Sequence, residues 1–186
     1  VSQRFSIKAF DADGNQSVDA AEISLTISEP SAPQNGTGTF SDDNLILKWD
    51  APASGSYAIE EYEIYQGAIS DANLLGKSKS TTFQLPVTFN SNQTFNIRAV
   101  DIAGNEGTAL ALTINFVLAQ APNISYQYEN SQLKLSWEVP TVGSTKIKEY
   151  EIKQSATNIT DAGQATFITR VSSTSFLLDV NWNTAQ

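Results

Sequence analysis

Apolar and polar residues alternate along most of the chain, a pattern typical of strands that are buried on one face. In residues 4–10, Phe5 and Ile7 lie on one face of such a predicted strand. A segment rich in turn residues follows at 11–17, and a second alternating strand is predicted at 23–27. Two strands do not form a stable fold alone, so we expect their partners to lie upstream.

The centre of the chain shows the same alternation, with turn residues between the alternating segments and no segment of helical spacing. Seven strands are predicted there, near 35–40, 44–49, 59–66, 74–78, 81–85, 93–100 and 108–116. Seven short strands within about 90 residues are typical of an antiparallel sandwich. The pattern therefore predicts an all-β protein.

Part of this pattern occurs twice. Residues 45–52 read Leu-Ile-Leu-Lys-Trp-Asp-Ala-Pro, and residues 133–140 read Leu-Lys-Leu-Ser-Trp-Glu-Val-Pro. Tyr-Glu-Ile follows each copy, at 62–64 and at 150–152. The spacing of about 90 residues is that of a domain and is too long for a solenoid repeat.

A second repeat relates Phe-Ser-Ile-Lys-Ala-Phe-Asp near the N-terminus to Phe-Asn-Ile-Arg-Ala-Val-Asp at 95–101. Together the repeats predict one complete domain at 29–117, preceded by the last two strands of a domain at 1–28. A domain without its last two strands is predicted at 118–186. Each junction carries Pro, which suits a linker. We expect the chain to be an excerpt of a longer tandem array.

The repeated motifs resemble those of fibronectin type III domains. Apolar-x-Leu-x-Trp followed by Pro at 45–52, Ile-x-x-Tyr-x-Ile at 59–64 and Phe-x-Ile-x-Ala-Val-Asp-x-Ala-Gly-Asn at 95–105 are similar to that family's second, third and sixth strands. The resemblance implies tandem immunoglobulin-like antiparallel β-sandwiches. It also implies that Trp49 and Trp137 are buried between the two sheets.

The chain departs from this family at one corner of the sandwich. The family usually has a tyrosine two residues before the phenylalanine of the sixth strand, and its hydroxyl is bonded to the backbone. Gln93 stands at that position before Phe95, and Gln3 stands there before Phe5. A Gln amide is chemically able to make a similar bond, so we expect the fold to be unaffected.

A narrower resemblance concerns the segment at 5–17. Phe-Ser-Ile-Lys-Ala-Phe-Asp-Ala-Asp-Gly-Asn-Gln-Ser is similar to domains in host-specificity proteins at the tail tip and central fibre of long-tailed bacteriophages. This resemblance implies a structural spacer in the virion tail, forming a homotrimer and contacting other tail proteins. It also implies that the host receptor is bound by regions outside this chain.

Two further functions stay open at this stage. Similar repeats occur as accessory regions of secreted bacterial carbohydrate-active enzymes and surface adhesins, which implies a secreted or cell-surface location. Alternatively, residues 1–28 of one chain complete the open domain at 118–186 of another by strand addition.

Composition excludes several kinds of chemistry. The chain has no Cys, His or Met, a formal net charge of −9 and a pI of about 4.4. Without His, neither Ser-His-Asp nor Cys-His activation of a nucleophile is available within the chain, and without Cys there are no disulfides or zinc–thiolate sites. The acidic balance argues against binding to nucleic acid or insertion into an anionic membrane. We predict a non-enzymatic chain with no catalytic residues, cofactor or metal.

One loop invites a calcium hypothesis. Asp11, Asp13, Asn15 and Glu22 fall at positions 1, 3, 5 and 12 of a calcium-loop count. The glycine is at position 4 instead of 6, and no helices flank the loop. We therefore expect an ordinary hairpin loop.

Three other groups of residues suggest a function but also have a structural interpretation. Glu60, Glu61 and Glu63 suggest the paired carboxylates of glycoside hydrolysis, but a flat, solvated sheet face is expected. Leu178-Asp179-Val180 resembles an integrin-binding tripeptide and is expected to begin a loop. Tyrosines that could mark a binding face are interpreted as strand residues: Tyr62, Tyr65 and Tyr150.

Overall fold

The computed structural model of the chain describes residues 2–155 and 165–179. This part contains fourteen strands and one 3-10 turn at Asp71–Asn73. The strands are β1 Ser2–Ile7, β2 Ala21–Thr26, β3 Gln34–Ser41, β4 Asn44–Asp50, β5 Ile59–Gln66, β6 Leu74–Ser78, β7 Thr82–Pro86, β8 Gln93–Asp101, β9 Glu106–Ile114, β10 Ile124–Glu129, β11 Gln132–Trp137, β12 Tyr150–Gln154, β13 Thr166–Val171 and β14 Ser175–Asp179. Val180, the last residue of the candidate integrin-binding tripeptide, lies outside the described residues.

The chain divides into two compact units. Unit 1 comprises Val1–Thr39, Leu45–Leu85 and Asn92–Ile114. Unit 2 comprises Phe40–Asn44, Pro86–Ser91 and Asn115–Gln186. The domain boundaries proposed from the repeats, at 28/29 and 117/118, stay predictions.

Strands β3 to β9 form two antiparallel sheets with the strand order of an immunoglobulin-like sandwich. One sheet has the order β3-β4-β7 and the other has the order β6-β5-β8-β9. All seven strands predicted from the alternation are present, and their ends differ from the predicted ends by at most two residues. The predicted fold class, all-β with immunoglobulin-like antiparallel sandwiches, is confirmed.

The core of this sandwich is formed by the apolar residues of the alternating segments. Leu47 of β4, Ile64 of β5 and Phe95 of β8 are fully buried. Trp49 is 3% exposed, and its ring lies edge-on to Tyr62 with the ring centroids 5.3 Å apart. The expectation that Trp49 packs between the sheets is confirmed.

Glycines in β3 let the two sheets approach closely. A Cβ at Gly36 would lie 2.7 Å from Cδ2 of Leu110. A Cβ at Gly38 would collide with the Cδ1 atom of Ile114 and lie 3.3 Å from the Cδ1 atom of Leu45. A side chain at either glycine would therefore collide with residues of β9, and at Gly38 it would also crowd Leu45 of β4.

Replacing Gly38 with valine is expected to lower the free energy of unfolding of unit 1 by about 1–3 kcal/mol, because overpacking displaces Ile114. Thr37 is exposed in the same strand, so Thr37→Val is the matched control and should change stability by less than about 0.5 kcal/mol. Urea unfolding of both variants measures the difference. Equal effects would show that β3 does not pack against β9 at Gly38.

Unit 2 repeats the first five strands of this arrangement. Its described sheets have the orders β10-β11-β14 and β12-β13, which correspond to β3-β4-β7 and β5-β6. Trp137 is buried, and its ring lies edge-on to Tyr150 at a centroid distance of 5.2 Å. The predicted burial of Trp137 is confirmed, and the aromatic pair of unit 1 is reproduced.

Strands β1 and β2 form an antiparallel hairpin in which Phe5 is opposite Ile23 and Ile7 is opposite Ala21. The hairpin corresponds by sequence to β8 and β9, where Phe95 is opposite Leu112 and Ile97 is opposite Leu110. Every residue of β1 and β2 is nevertheless exposed.

Candidate interaction surfaces

The two hairpin loops that share the Asp-x-x-Gly-Asn sequence have the same internal hydrogen bonds. Oδ1 of Asp101 accepts from the backbone N–H groups of Ala103 and Asn105, both at 2.9 Å, and the Asn105 amide donates to both carboxylate oxygens. Asp11 accepts in the same way from the N–H groups of Asp13 and Asn15. The aspartate is thus the hydrogen-bonding centre of each loop.

These bonds hold the aspartates ionised. Burial of the Asp101 carboxyl, which has no exposed surface, would raise its pKa, but the hydrogen bonds from Asn105 and Ala103 outweigh burial and lower the pKa. The side-chain bond from Asn15 is the largest cause that lowers the pKa of Asp11.

The calcium candidates do not form one cluster. Asp11 lies in a hairpin loop, as expected, whereas Glu22 lies in β2 opposite Ser6. Within residues 2–155 and 165–179, no group of three or more His, Cys, Asp or Glu side chains is placed to hold a metal ion.

A network of charged side chains crosses the sheet of β6, β5, β8 and β9. Lys77 Nζ lies 2.6 Å from Glu61 Oε1 and 3.0 Å from Glu63 Oε1. Arg98 Nη2 lies 2.6 Å from Glu63 Oε2, and Arg98 Nη1 lies 2.6 Å from Glu106 Oε2. We call these five side chains the charged ladder.

Glu63 is the centre of the charged ladder and is only 8% exposed, which corrects the expectation of a solvated sheet face. The Tyr65 hydroxyl donates to Glu63 Oε2 at 2.7 Å. Burial alone would raise the pKa of Glu63, but the bonds from Tyr65, Arg98 and Lys77 lower it to about 2. The carboxylate is buried because its partners replace the water that it would otherwise need.

The ladder has a counterpart in unit 2. Glu151 Oε1 lies 2.7 Å from Lys153 Nζ, and Glu151 Oε2 lies 2.9 Å from Arg170 Nη2. Arg170 Nη1 also lies 3.2 Å from Glu149 Oε1. The bond from Lys153, followed by that from Arg170, lowers the pKa of Glu151. The sequence repeat preserves two of the three carboxylates of the ladder, Glu61 and Glu63, as Glu149 and Glu151.

In both units, hydrogen bonds attach the linker to the loop that follows the repeated Trp and Pro. In unit 1, Ser56 Oγ accepts from the Ser28 N–H at 2.9 Å, and the Ser56 N–H donates to the Ser28 carbonyl at 3.1 Å. In unit 2, Ser144 makes the same two bonds with Val117, both at 2.8 Å. The linker residues Ser28 and Val117 form these bonds through their backbone N–H and carbonyl groups. Their side-chain types therefore need not be the same in the two units.

Replacing Ser56 with alanine is expected to destabilise the attachment of the linker to this loop by about 0.5–1.5 kcal/mol, because the Ser28 N–H loses its acceptor. Limited proteolysis should then cut the segment at 28–33 several times faster. Ser54→Ala is the matched control, since Ser54 accepts from the Ser31 N–H through its backbone carbonyl, which the substitution retains. Equal cleavage rates in the two variants would show that the side-chain bond does not hold the linker.

None of the three tyrosine candidates forms an exposed face. Tyr62 packs on Trp49 in the core and Tyr150 packs on Trp137, whereas the buried Tyr65 lies on the face of the charged ladder, with Arg98 over its ring. At the corner, Gln66 Nε2 donates to Gln93 Oε1 at 2.9 Å, so this Gln amide bonds another side chain. Leu178 and Asp179 are the last residues of β14, rather than the start of a loop.

Sequence reasoning missed the exposed apolar face of β10. Ile124, Tyr126 and Tyr128 alternate along this strand, and Tyr126 is 74% exposed. Their partners in β11 are Trp137, Leu135 and Leu133, which point towards the core side of the sheet. The alternation was detectable, but a sequence alone does not show how far each of these side chains is exposed.

No helix in the described ranges combines the length and the apolar character needed to cross a membrane.

No family model matches the chain. Exoglucanase B of Cellulomonas fimi is 23% identical over 184 residues, covering 88% of this chain and 17% of that protein. The chain thus spans less than a fifth of the length of this relative.

Two solved structures are also similar. Domains d3–d4 of the rat CD45 extracellular region match with a TM-score of 0.42 and 9% identity, covering 61% of this chain and 63% of that chain. The FN1–FN3 domains of chicken CNTN1 match with a TM-score of 0.35 and 17% identity, covering 96% of this chain and 64% of that chain. The assignment of the fold rests on the strand order and register of the chain itself.

Proposed function

We propose that the chain is a non-catalytic structural region of a secreted bacterial carbohydrate-active enzyme. The similarity to Exoglucanase B carries this proposal, because it extends over 88% of this chain but only 17% of that protein. A region of this size in a larger enzyme suits a spacer that positions a catalytic domain. The immunoglobulin-like sandwich has a packed sheet core and no disulfide, which suits such a spacer.

The charged ladder supports a non-catalytic role for the neighbouring carboxylates. Glycoside hydrolysis by two carboxyl groups needs one that carries a proton to the leaving group. Glu63 has a pKa lowered to about 2, and it shares Lys77 with Glu61. Glu63 is therefore held ionised as a partner of cations instead of being available to donate a proton, and Glu61 is bound to Lys77.

The test is an assay of the purified chain on a soluble β-glucan, with release of reducing ends as the measurement. The expected result is no release above the buffer control. Release of reducing ends that is lost in the Glu61→Gln variant but retained in the Glu60→Gln variant would overturn the non-catalytic proposal. Glu60 is exposed next to the ladder, which makes it the matched control.

A spacer in a bacteriophage tail is the second candidate, favoured by the resemblance of the loop segment at 5–17 to tail-tip proteins. In this case the chain acts as a homotrimer about the tail axis, next to other tail proteins. Sedimentation equilibrium distinguishes the candidates: a closed trimer, constant over a wide range of concentration, supports the tail spacer. A chain that stays smaller than a trimer, or whose mass rises beyond a trimer, contradicts the tail spacer.

A further inference from the structure

Asn35 lies near the start of β3 and is followed by Gly36. It is the only asparagine of the sequence that precedes a glycine. The backbone nitrogen that follows an asparagine can attack the carbon of its side-chain amide, and glycine obstructs this approach least because it has no Cβ. Asn35 is also exposed, so water reaches the amide. The dipeptide therefore has the residues needed for a spontaneous modification of the chain by itself.

The packing of the sandwich favours glycine at position 36. A Cβ at Gly36 would lie 2.7 Å from Cδ2 of Leu110, a residue of β9. Atoms at that distance collide, so a side chain at this position would have to displace Leu110. The close approach of the two sheets thus leaves the backbone nitrogen after Asn35 unobstructed.

The side chain of Asn35 is held by the neighbouring strand. Its Nδ2 donates to Oδ2 of Asp50 at 2.7 Å, and Asp50 is the last residue of β4. A hydrogen bond to a carboxylate is stronger than one to a neutral acceptor. The backbone at Asn35 has a φ of 51°, in the left-handed region that asparagine adopts more readily than most residues. Both features restrain the rotation that would bring the amide carbon against the Gly36 nitrogen.

We infer that Asn35 is a site of spontaneous deamidation and that its hydrogen bond to Asp50 slows the reaction. The Gly36 nitrogen bonds to Cγ of Asn35 while the Cγ–Nδ2 bond breaks, and the proton of the Gly36 N–H leaves with Nδ2 as ammonia. The product is a succinimide. One water molecule then opens the ring at either carbonyl, which gives aspartate or isoaspartate at position 35.

Either product changes the contact with Asp50. An ionised aspartate has acceptor oxygens only, so it cannot replace the hydrogen bond that the Asn35 amide donates. It also places a second negative charge beside the first. Isoaspartate in addition lengthens the backbone of β3 next to Gly36, where Leu110 is already close. We expect both products to destabilise unit 1, so this dipeptide limits how long the unit keeps its full stability.

The reaction rate in the folded chain tests the site. The complete chain is incubated at mildly alkaline pH, which favours attack by the backbone nitrogen, and its peptides are analysed by mass spectrometry for a gain of one dalton. Asn130 is the internal reference, because it is also exposed and has a φ of 49°, but Ser131 follows it. Deamidation is expected to be several times faster at Asn35 than at Asn130. An equal or lower rate at Asn35 would overturn the inference.

The role of the hydrogen bond is tested by replacing its acceptor. Asp50→Ala should raise the rate of deamidation at Asn35 several times. Asp43→Ala is the matched control, because it removes the same charge from the turn before β4 and should leave this rate unchanged. Both aspartates are exposed, so neither substitution opens the core. Equal rates at Asn35 in the two variants would overturn the role of Asp50.

The effect of the product on stability is tested with substitutions that imitate it. Asn35→Asp should lower the midpoint of urea unfolding of unit 1 more than Gln34→Glu, which adds the same charge at the exposed neighbouring position. The double variant with Asn35→Asp and Asp50→Asn exchanges the donor and the acceptor and should restore the midpoint. Equal effects of the two single variants, or no recovery in the double variant, would overturn the proposed consequence of deamidation.

Discussion

Replacing Trp49 with alanine is expected to lower the free energy of unfolding of unit 1 by about 3–5 kcal/mol. The indole lies between the sheets with 3% of its surface exposed and contacts the Tyr62 ring edge-on. Its removal leaves a cavity that the rigid strands β4 and β5 cannot close. A domain is stable by only about 5–15 kcal/mol, so amide exchange along β8 should become much faster.

Two variants serve as controls for this result. Trp49→Phe keeps an aromatic ring in the core and should cost less than the alanine variant. Tyr57 is a partly exposed aromatic residue of the same unit, and Tyr57→Ala should change the stability by less than about 0.5 kcal/mol. Equal exchange rates in the Trp49→Ala and Tyr57→Ala variants would show that Trp49 is not at the centre of the core.

The charged ladder is expected to make the stability of unit 1 depend on pH between about 5 and 2. The pKa of Glu63 in the folded chain is about 2, below its ordinary value of 4.5. A carboxyl group with a lowered pKa stabilises the fold above its ordinary pKa, and this contribution is lost as the pH falls through the folded value. The contribution of Glu63 is about 3 kcal/mol at neutral pH.

Glu63→Gln tests this contribution by urea unfolding at a series of pH values. The variant should be less stable than the wild type at pH 7, and the difference should disappear near pH 2. The variant should retain part of the pH dependence, because Asp101 of the same unit also has a lowered pKa. Glu60→Gln is the control outside the ladder. A difference between wild type and Glu63→Gln that is constant over this pH range would contradict the role of the carboxylate charge.

Much of the sandwich could be predicted from the sequence because its core residues alternate with polar ones. Leu45, Leu47 and Trp49 occupy every second position of β4, and this period of two is the physical cause of their common burial. The repeat at 133–140 then predicted the same arrangement around Trp137. Strand ends were predictable to within one or two residues because turn residues adjoin them.

The polar networks could not be predicted in the same way. Glu63 and Lys77 are brought together by the pairing of β5 with β6, and the sequence alone does not fix that register. The linkers are attached largely through their backbone N–H and carbonyl groups, which every residue type except proline provides. Ser28 and Val117 therefore make equivalent bonds, although their side chains have nothing in common.

The sequence of the complete gene tests the proposed role most directly. The account predicts that the reading frame containing this chain also encodes a catalytic domain with the paired carboxyl groups of a glycoside hydrolase. A frame that instead encodes a tail-hub domain and a fibre tip would contradict the role in a carbohydrate-active enzyme and support the tail spacer.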